Sequence, residues 1–326
     1  MQYRSACMHP AFRRGPKFRA SWSLDSGMTT ASKPRKSGKN KKSTKYTAAT
    51  ADRHELYQLS VQNVEAEIDF VDETYTALRG RPAQTIREDF CGTAASACEW
   101  VKRRETNKAV GIDLDGPTLE WGRVQNVAPL TEEAQSRVTL LERDVREPGP
   151  EGTGVDVVLA MNFSYWIFNT RESIRNYFKT VLDSLDDEGL FICDFYGGSD
   201  TMIEQEEVRK INKHLTYIWD QHKFNPITGD MECRIHFKFP DGTQMRDAFI
   251  YEWRLWTLPE IRELLSEAGF EDVAVYWEGT DPDDEEEGNG EYEPTLEGEA
   301  DPAYICYIVS QKKKRVAPAD DKKNDR

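Results

Sequence analysis

The segment Thr85-Ile-Arg-Glu-Asp-Phe-Cys-Gly-Thr-Ala94, followed by Ala109-Val-Gly-Ile-Asp-Leu-Asp115, constrains this chain most. It reads as a strand, a tight loop that opens a helix, and a second strand closing on an acid. In a parallel sheet the loop and that acid fall at the same end. Backbone can approach a ligand closely there, and a carboxylate can hold a ribose.

The flanking pattern extends this unit. Strands are expected at Thr85–Glu88, Ala109–Asp113, Val138–Glu142, Val155–Met161 and Leu190–Asp194, with helices over Thr93–Arg103, after Pro117 and over Arg171–Leu185. Val155–Met161 is apolar nearly throughout, as a strand covered on both faces requires. Before this unit, Leu56, Leu59, Val64, Ile68, Val71, Tyr75 and Leu78 recur at helical spacing from Asp52 to Gly80. After Gly198 the period changes. Residues 202–213 read as a polar helix, and His214–Gln221, Met231–Phe239 and Gln244–Trp253 alternate as strands of an antiparallel insertion spanning about 200–256. Thr257-Leu-Pro-Glu260 opens a helix that Gly269 stops. Asp272–Glu278 and Tyr304–Ser310 then form an antiparallel pair at one sheet edge, separated by an acidic loop over 280–302. The expected fold class is α/β: a Rossmann-like, doubly wound, mostly parallel sheet of seven strands with an antiparallel edge strand, plus the β insertion.

Composition narrows the function classes. The 326 residues carry a formal net charge of −15 and a mean hydropathy of −0.72. A chain this acidic is not expected to bind nucleic acid broadly. The charge is uneven: residues 1–50 are basic, from Arg13 and Arg14 to Lys42 and Lys45, and 312–326 is a second polar tail. Both tails are expected to be disordered, with the folded domain over 51–311. Residues 1–27 are Arg-rich and nearly acid-free, like an organelle transit peptide, and Met28 is an alternative start. No apolar stretch approaches a membrane span. The six cysteines form no C-x-x-C pair, which suits buried, reduced thiols and a cytoplasmic location. The five histidines include no close pair, so no metal is expected. No G-x-S-x-G elbow or P-loop lysine motif occurs.

Ligands in such sheets bind beyond the strand carboxyl ends. Those ends carry Glu88 and Asp89, Asp113 to Asp115, Asp144 and Val145, Met161 to Trp166, and Asp194 to Gly198. Acids at nearly every strand end, around a loop with Gly92 alone among its glycine positions, disfavour a pyrophosphate. They favour a cationic nucleoside without phosphate, such as S-adenosylmethionine. Glu88 or Asp89 would orient its ammonium, Gly92 would let the loop approach its tail, and Asp113 would take both ribose hydroxyls. Asp144 would accept from the adenine amino group, with Leu114 and Val145 against the purine faces.

At these residues the chain resembles the class I S-adenosylmethionine-dependent methyltransferases, over about 52–311. Glu88-Asp-Phe-Cys-Gly-Thr-Ala94 is similar to that family's acid-x-Gly-x-Gly-x-Gly loop, with Phe90 and Ala94 in place of the first and third glycines. Gly111-Ile-Asp-Leu114 resembles the ribose-binding strand end, and Arg143-Asp-Val145 the adenine segment. Asp156 to Asn162 and Leu182 to Asp194 resemble the fourth and fifth strands with their lead-in. Met161-Asn-Phe-Ser-Tyr165 and the inserted strands look most like small-molecule N-methyltransferases of the glycine/sarcosine type. The Asn/Asp-Pro-Pro-Tyr signature of base-amino methyltransferases is absent.

The resemblance implies methyl transfer to a small-molecule acceptor, expected at nitrogen, with Asn162 beside the transferring methyl and Met161 among the cofactor-binding residues. Asn162, Tyr165 and Asp194 are the catalytic candidates. Trp166, Tyr196 and Trp219 are expected as an aromatic wall of the acceptor site, Arg254 as a clamp for an acceptor carboxylate, and Tyr57 as part of a helical lid. Two other readings stay open: a protein or RNA methyltransferase tethered by the basic tail, and a non-catalytic scaffold that binds the cofactor.

Overall fold

The computed structural model describes residues 46–282 and 284–314. The basic segment before Tyr46, including Cys7 and Met28, and the tail after Lys314 lie outside the described residues.

Two helices lead: α1 (Arg53–Ser60), capped by the Asp52 carboxylate on the His54 and Glu55 N–H groups, and α2 (Val64–Arg79), ended by Gly80 in the left-handed conformation. The alternating unit follows: β1 (Thr85–Asp89), α3 (Ala95–Arg103), β2 (Lys108–Asp113), α4 (Gly116–Gly122), the short α5 (Glu132–Gln135), β3 (Val138–Glu142), β4 (Val155–Ala160), α6 (Arg171–Ser184) and β5 (Leu185–Gly197). Pro117 sits in the first turn of α4, where its missing N–H costs nothing. The chain then builds β6 (Gln205–Asn212), β7 (Leu215–Phe224), β8 (Asp230–Lys238) and β9 (Gln244–Arg254), followed by α7 (Leu258–Ala268), β10 (Asp272–Asp281), β11 (Asp284–Thr295) and β12 (Tyr304–Gln311).

The main sheet runs β11-β10-β12-β5-β4-β1-β2-β3. Strands β5, β4, β1, β2 and β3 are mutually parallel, and β12 pairs antiparallel with both β5 and β10. All six residues of β4 are buried. Alternate side chains divide between two apolar layers: Val158, Ala160, Phe191 and Cys193 pack with α6 and α7, and Val157, Leu159, Leu190 and Ile192 pack with α2 and α3. That is the period-two consequence of a sheet sandwiched between helices. Because β1 lies between β4 and β2, the chain direction across the sheet reverses there. The crevice at that reversal is where such sheets take ligands.

Two expectations are corrected. The sheet has eight strands, not seven, because the acidic 280–302 segment contains β11, which pairs with β10 and forms the edge. Glycine and glutamate have little strand propensity. Backbone pairing and the rings of Tyr292, Tyr307 and Phe70, packed together, hold the segment, and charge on an edge strand discourages further pairing. Residues 202–213 are not a helix: Gln205–Asn212 is β6, paired antiparallel with β7 in a second sheet ordered β6-β7-β8-β9. Its exposed Glu206, Val208, Lys210 and Asn212 alternate with half-buried neighbours, and that pairing overrides helix-forming composition. The five described cysteines are free and buried. Among the described residues no helix is long and apolar enough to cross a membrane.

Candidate functional site

The loop after β1 is the first wall of the site. Phe90, Gly92 and Ala94 all adopt left-handed backbone, with φ of 57°, 51° and 57°. Only Gly92 does so freely. At the other two the strain, of order 1–3 kcal/mol each, must be held by surrounding contacts. The contacts are visible. Glu88 Oε2 accepts the Ala97 N–H at 3.0 Å, satisfying an orphan donor in the first turn of α3. Asp113 Oδ2 accepts the Gly92 N–H at 2.7 Å, and Asp113 Oδ1 accepts the Asp115 N–H at 2.9 Å. One carboxylate thus ties the end of β2 to the loop after β1, and each oxygen keeps lone-pair capacity for a further donor. Gly122 allows α4 to approach: a Cβ there would lie 2.5 Å from the Thr93 carbonyl oxygen.

Beneath the loop, Arg87 and Asp89 form a fully buried ion pair, with Arg87 Nε 2.9 Å from Asp89 Oδ1 and Nη2 donating to Oδ2 at 2.9 Å. Tyr177 also donates to Asp89 Oδ2, and Arg87 Nη1 donates to the Gly152 carbonyl. Burial pushes the Asp89 carboxyl above its ordinary range, against the downward pull of Arg87. Asp89 is therefore already matched by a cation of the protein, whereas among the described residues none matches Glu88.

The turn after β4 is the opposite wall. Asn162 and Phe163 are both left-handed, at φ of 59° and 55°. The Asp194 carboxylate on β5 receives both of their N–H groups, at 2.7 and 2.9 Å. Asp194 clamps this strained turn from below, buried, and does not line the cavity.

Between these walls lies a cavity of about 290 Å³. Glu88, Asp89, Gly92, Asp113, Met161 and Asn162 line it, together with Asp115, Thr93 and Thr118. Helix α1 and the residues after it supply His54, Tyr57 and Gln62 to its lining. Gln58 donates to Thr93 Oγ1 and Trp121 Nε1 donates to Asp52, anchoring α1 over the loop and α4. The remaining side is an aromatic stripe from β9: Phe249, Tyr251 and Trp253.

Other sequence candidates stand elsewhere. Trp166, Tyr196 and Trp219 are buried behind the wall: Trp166 and Trp219 pack on Trp253, and Tyr196 lies against Phe163 with its hydroxyl donating to Gln221. Tyr165 is fully buried and donates to the Asp194 carbonyl oxygen. Arg254, expected to clamp an acceptor, lies outside the cavity over the Trp256 ring, 3.9 Å from its centroid, and 3.6 Å from Glu260. Leu114 is exposed, Val145 is buried, and Asp144 is held by the Arg146 fork; none of the three lines the cavity. The β9 stripe was missed, although its signal was present: Phe249, Tyr251 and Trp253 occur at period two, which puts all three on one face of a strand.

Among the described residues, Glu206, Asp220 and His236 bring three metal-capable side chains together on the second sheet. His236 Nδ1 accepts the Asp247 N–H at 2.8 Å, so in the neutral ring Nε2 carries the proton and faces Asp220 Oδ2 at 3.3 Å. Both nitrogens are occupied, and that ring offers a metal no lone pair.

Burial raises several carboxyls far above their ordinary values: Glu88 to about 8, and Glu67 and Asp194 to about 7, each chiefly through desolvation. Glu207 on β6 is pushed to about 7 for the same reason. The folded protein holds protons here that an unfolded chain, with carboxyl values of about 4, has released. Stability is therefore greatest at about pH 5 and falls as pH rises through 7 to 8. Below that maximum the depressed carboxyls of Asp156 and Asp144 work the other way. Melting temperature followed from pH 5 to 9 should fall, and Glu88→Gln should flatten the upper part of that decline. A melting temperature that rises over this interval would contradict the assignment.

Comparisons with known proteins place the fold. No family model matches the chain, and no curated protein matches it in sequence. Solved structures do. An S-adenosylmethionine-dependent methyltransferase from Clostridium acetobutylicum superposes with a TM-score of 0.57 at 14% identity, over 79% of this chain and 96% of that one. CalS10, an amino pentose methyltransferase from Micromonospora echinaspora, gives 0.56 at 15% identity, over 80% and 96%. KedS8, a sugar N-methyltransferase from Streptoalloteichus, gives 0.53 at 14% identity, over 87% and 99%. The fold is that of the S-adenosylmethionine-dependent methyltransferases, and at these identities the likeness is one of fold.

Proposed function

We propose that this chain binds S-adenosylmethionine in the crevice between β1 and β4 and transfers its methyl group to the nitrogen of a small-molecule acceptor. One observation carries the reading. The cavity at the sheet's reversal point is lined by four carboxylates, Glu88, Asp89, Asp113 and Asp115, and, among the described residues, by no lysine or arginine. A pyrophosphate would meet acidic side chains on the β1 and β2 side and no matching cation among the described lining residues. A nucleoside with an ammonium and a sulfonium meets complementary charge.

The residues divide by chemistry. Asp113 retains an acceptor site on each oxygen for the two ribose hydroxyls, and Gly92 admits the ligand tail beside it. Glu88, which no cation among the described residues matches, receives the ammonium. Leu114, Asp144 and Val145 lie on the chain leading from β2 and β3 toward the adenine end. Met161 and Asn162, the latter held by Asp194, line the side on which the methyl would be presented. When bound, the cofactor supplies an electrophilic methyl. The protein's task is to hold a lone pair about 3 Å from it, in line. The stripe of Tyr57, Phe249, Tyr251 and Trp253 suits an acceptor that gains positive charge, because ring faces attract cations. The amino sugar methyltransferases among the structural neighbours support an amine acceptor.

Calorimetry with S-adenosylhomocysteine and with NADH, followed by an isotope-labelled methyl donor offered to fractionated small molecules, tests this. The expected result is binding of the first, none of the second, and label in an amine. Uptake of NADH without response to S-adenosylhomocysteine would end the reading.

A further inference from the structure

The connection between α1 and α2 holds a feature that cofactor binding does not use. Gln62 lines the cavity, yet its Oε1 is buried without a hydrogen-bond donor. Glu67, one turn into α2, is 7% exposed. Its Oε1 accepts the Asn63 N–H at 3.4 Å, and its Oε2 is buried with no donor. Among the described residues no lysine, arginine or histidine pairs with Glu67. Its charge is felt by Tyr57 and Glu88, which line the cavity, and by Asp194 beneath the Asn162 turn. Asn63, whose N–H the Glu67 carboxylate accepts, directly follows Gln62, so that carboxylate stands beside the residue that reaches the cavity, just behind its lining. Buried acceptor oxygens without donors are costly, of order 1–3 kcal/mol each, and native proteins rarely retain them without use.

We propose that Gln62 Oε1 and Glu67 Oε2 form a receptor for the ammonium group of the methyl acceptor, with Glu67 taking the proton that makes its nitrogen nucleophilic. This rests on the amine reading above and goes further by naming the groups that select an amine. An alkylammonium brings N–H donors to both orphan oxygens and positive charge to a place where Glu67 raises the proton affinity of Glu88 and Asp194. A neutral alcohol brings one donor and no charge. The step balances: the ammonium passes one proton to the Glu67 carboxylate, leaving a neutral amine with a free lone pair and a neutral carboxyl. A Glu67 value of about 7 lies near physiological pH, where a carboxylate both accepts and returns a proton readily.

The test uses cyclohexylamine and cyclohexanol, matched in shape and differing in charge. Each is titrated into the whole protein with and without S-adenosylhomocysteine, for wild type, Glu67→Gln and Gln62→Leu. Wild type should prefer the amine by at least about tenfold, equivalent to about 1.4 kcal/mol. Glu67→Gln should erase the preference while changing the dissociation constant for S-adenosylhomocysteine less than twofold, and Gln62→Leu should reduce it. Glutamine keeps the size and the Asn63 contact, and unchanged binding of S-adenosylhomocysteine or an unchanged melting temperature certifies the fold. Equal binding of the two probes, or no binding of the amine, overturns the proposal. So does a loss confined to S-adenosylhomocysteine, which would assign the pair to the cofactor's own ammonium. If wild type prefers the amine yet ignores S-adenosylhomocysteine, the proposed function fails and the amine receptor stands.

Discussion

Replacing Arg87 with methionine should lower the unfolding free energy by about 3–5 kcal/mol and the melting temperature by about 10 °C. Arg87 is fully buried, and its guanidinium matches both oxygens of Asp89 and the Gly152 carbonyl. Methionine fills much of the same volume, so little of the loss comes from packing. The cost arises because Asp89 stays at the end of β1 as a buried carboxyl to which, among the described residues, Tyr177 alone would still donate. That carboxyl must then take up a proton or remain charged in an apolar surrounding. Removing the charge as well should reverse much of the damage, so Arg87→Met/Asp89→Leu should melt above Arg87→Met. Chemical denaturation of the four members of this cycle measures the coupling directly. Additive effects of the two substitutions would show that the pair contributes no mutual energy. The pair sits directly below Phe90, so the single variant should also loosen the loop that faces the cavity.

Asp113→Ala should weaken S-adenosylhomocysteine binding by about 100-fold. Two hydrogen bonds from a ribose to a charged acceptor account for roughly 3 kcal/mol, and each 1.4 kcal/mol is a factor of ten. The same substitution frees the Gly92 and Asp115 N–H groups, which Asp113 now holds at 2.7 and 2.9 Å. Loop disorder and lost ribose contacts then act in one direction. Asp113→Asn separates them. Its carbonyl oxygen can keep one backbone donor, but its amide meets the other N–H with a second donor, so binding falls while the overall fold persists. Calorimetry of both variants against wild type reads the effect, and an unchanged affinity in Asp113→Ala would remove Asp113 from the cofactor site.

Much of this site is legible in the sequence. Gly92 and Asp113 were marked by their places at the ends of adjacent strands, and the structure joins them by one hydrogen bond. Phe90 and Ala94 looked like departures from a glycine loop, yet both adopt the left-handed backbone that glycine would supply. Composition at those two positions therefore understated how closely the loop shape is kept. Asp194 was noted as an acid at a strand end. That it spends both oxygens on the Asn162 and Phe163 N–H groups depends on a turn contributed by another strand. Trp166, Tyr196 and Trp219 were expected at the acceptor side because aromatic residues suit it. They are buried one layer back, and Phe249, Tyr251 and Trp253 face the cavity instead.

The alternation of strands and helices from Thr85 to Asp194, and the acids at the strand ends, could be written down from residue order, because hydrophobic period and cap chemistry act over a few neighbouring residues. Three-dimensional packing made β6 and β11 into strands, chose which face of β9 meets the cavity, matched Arg87 to Asp89, and left Glu67 and Gln62 with unanswered oxygens. Strand pairing, desolvation and the presence or lack of a hydrogen-bond donor depend on groups far apart along the chain. No local pattern contains them.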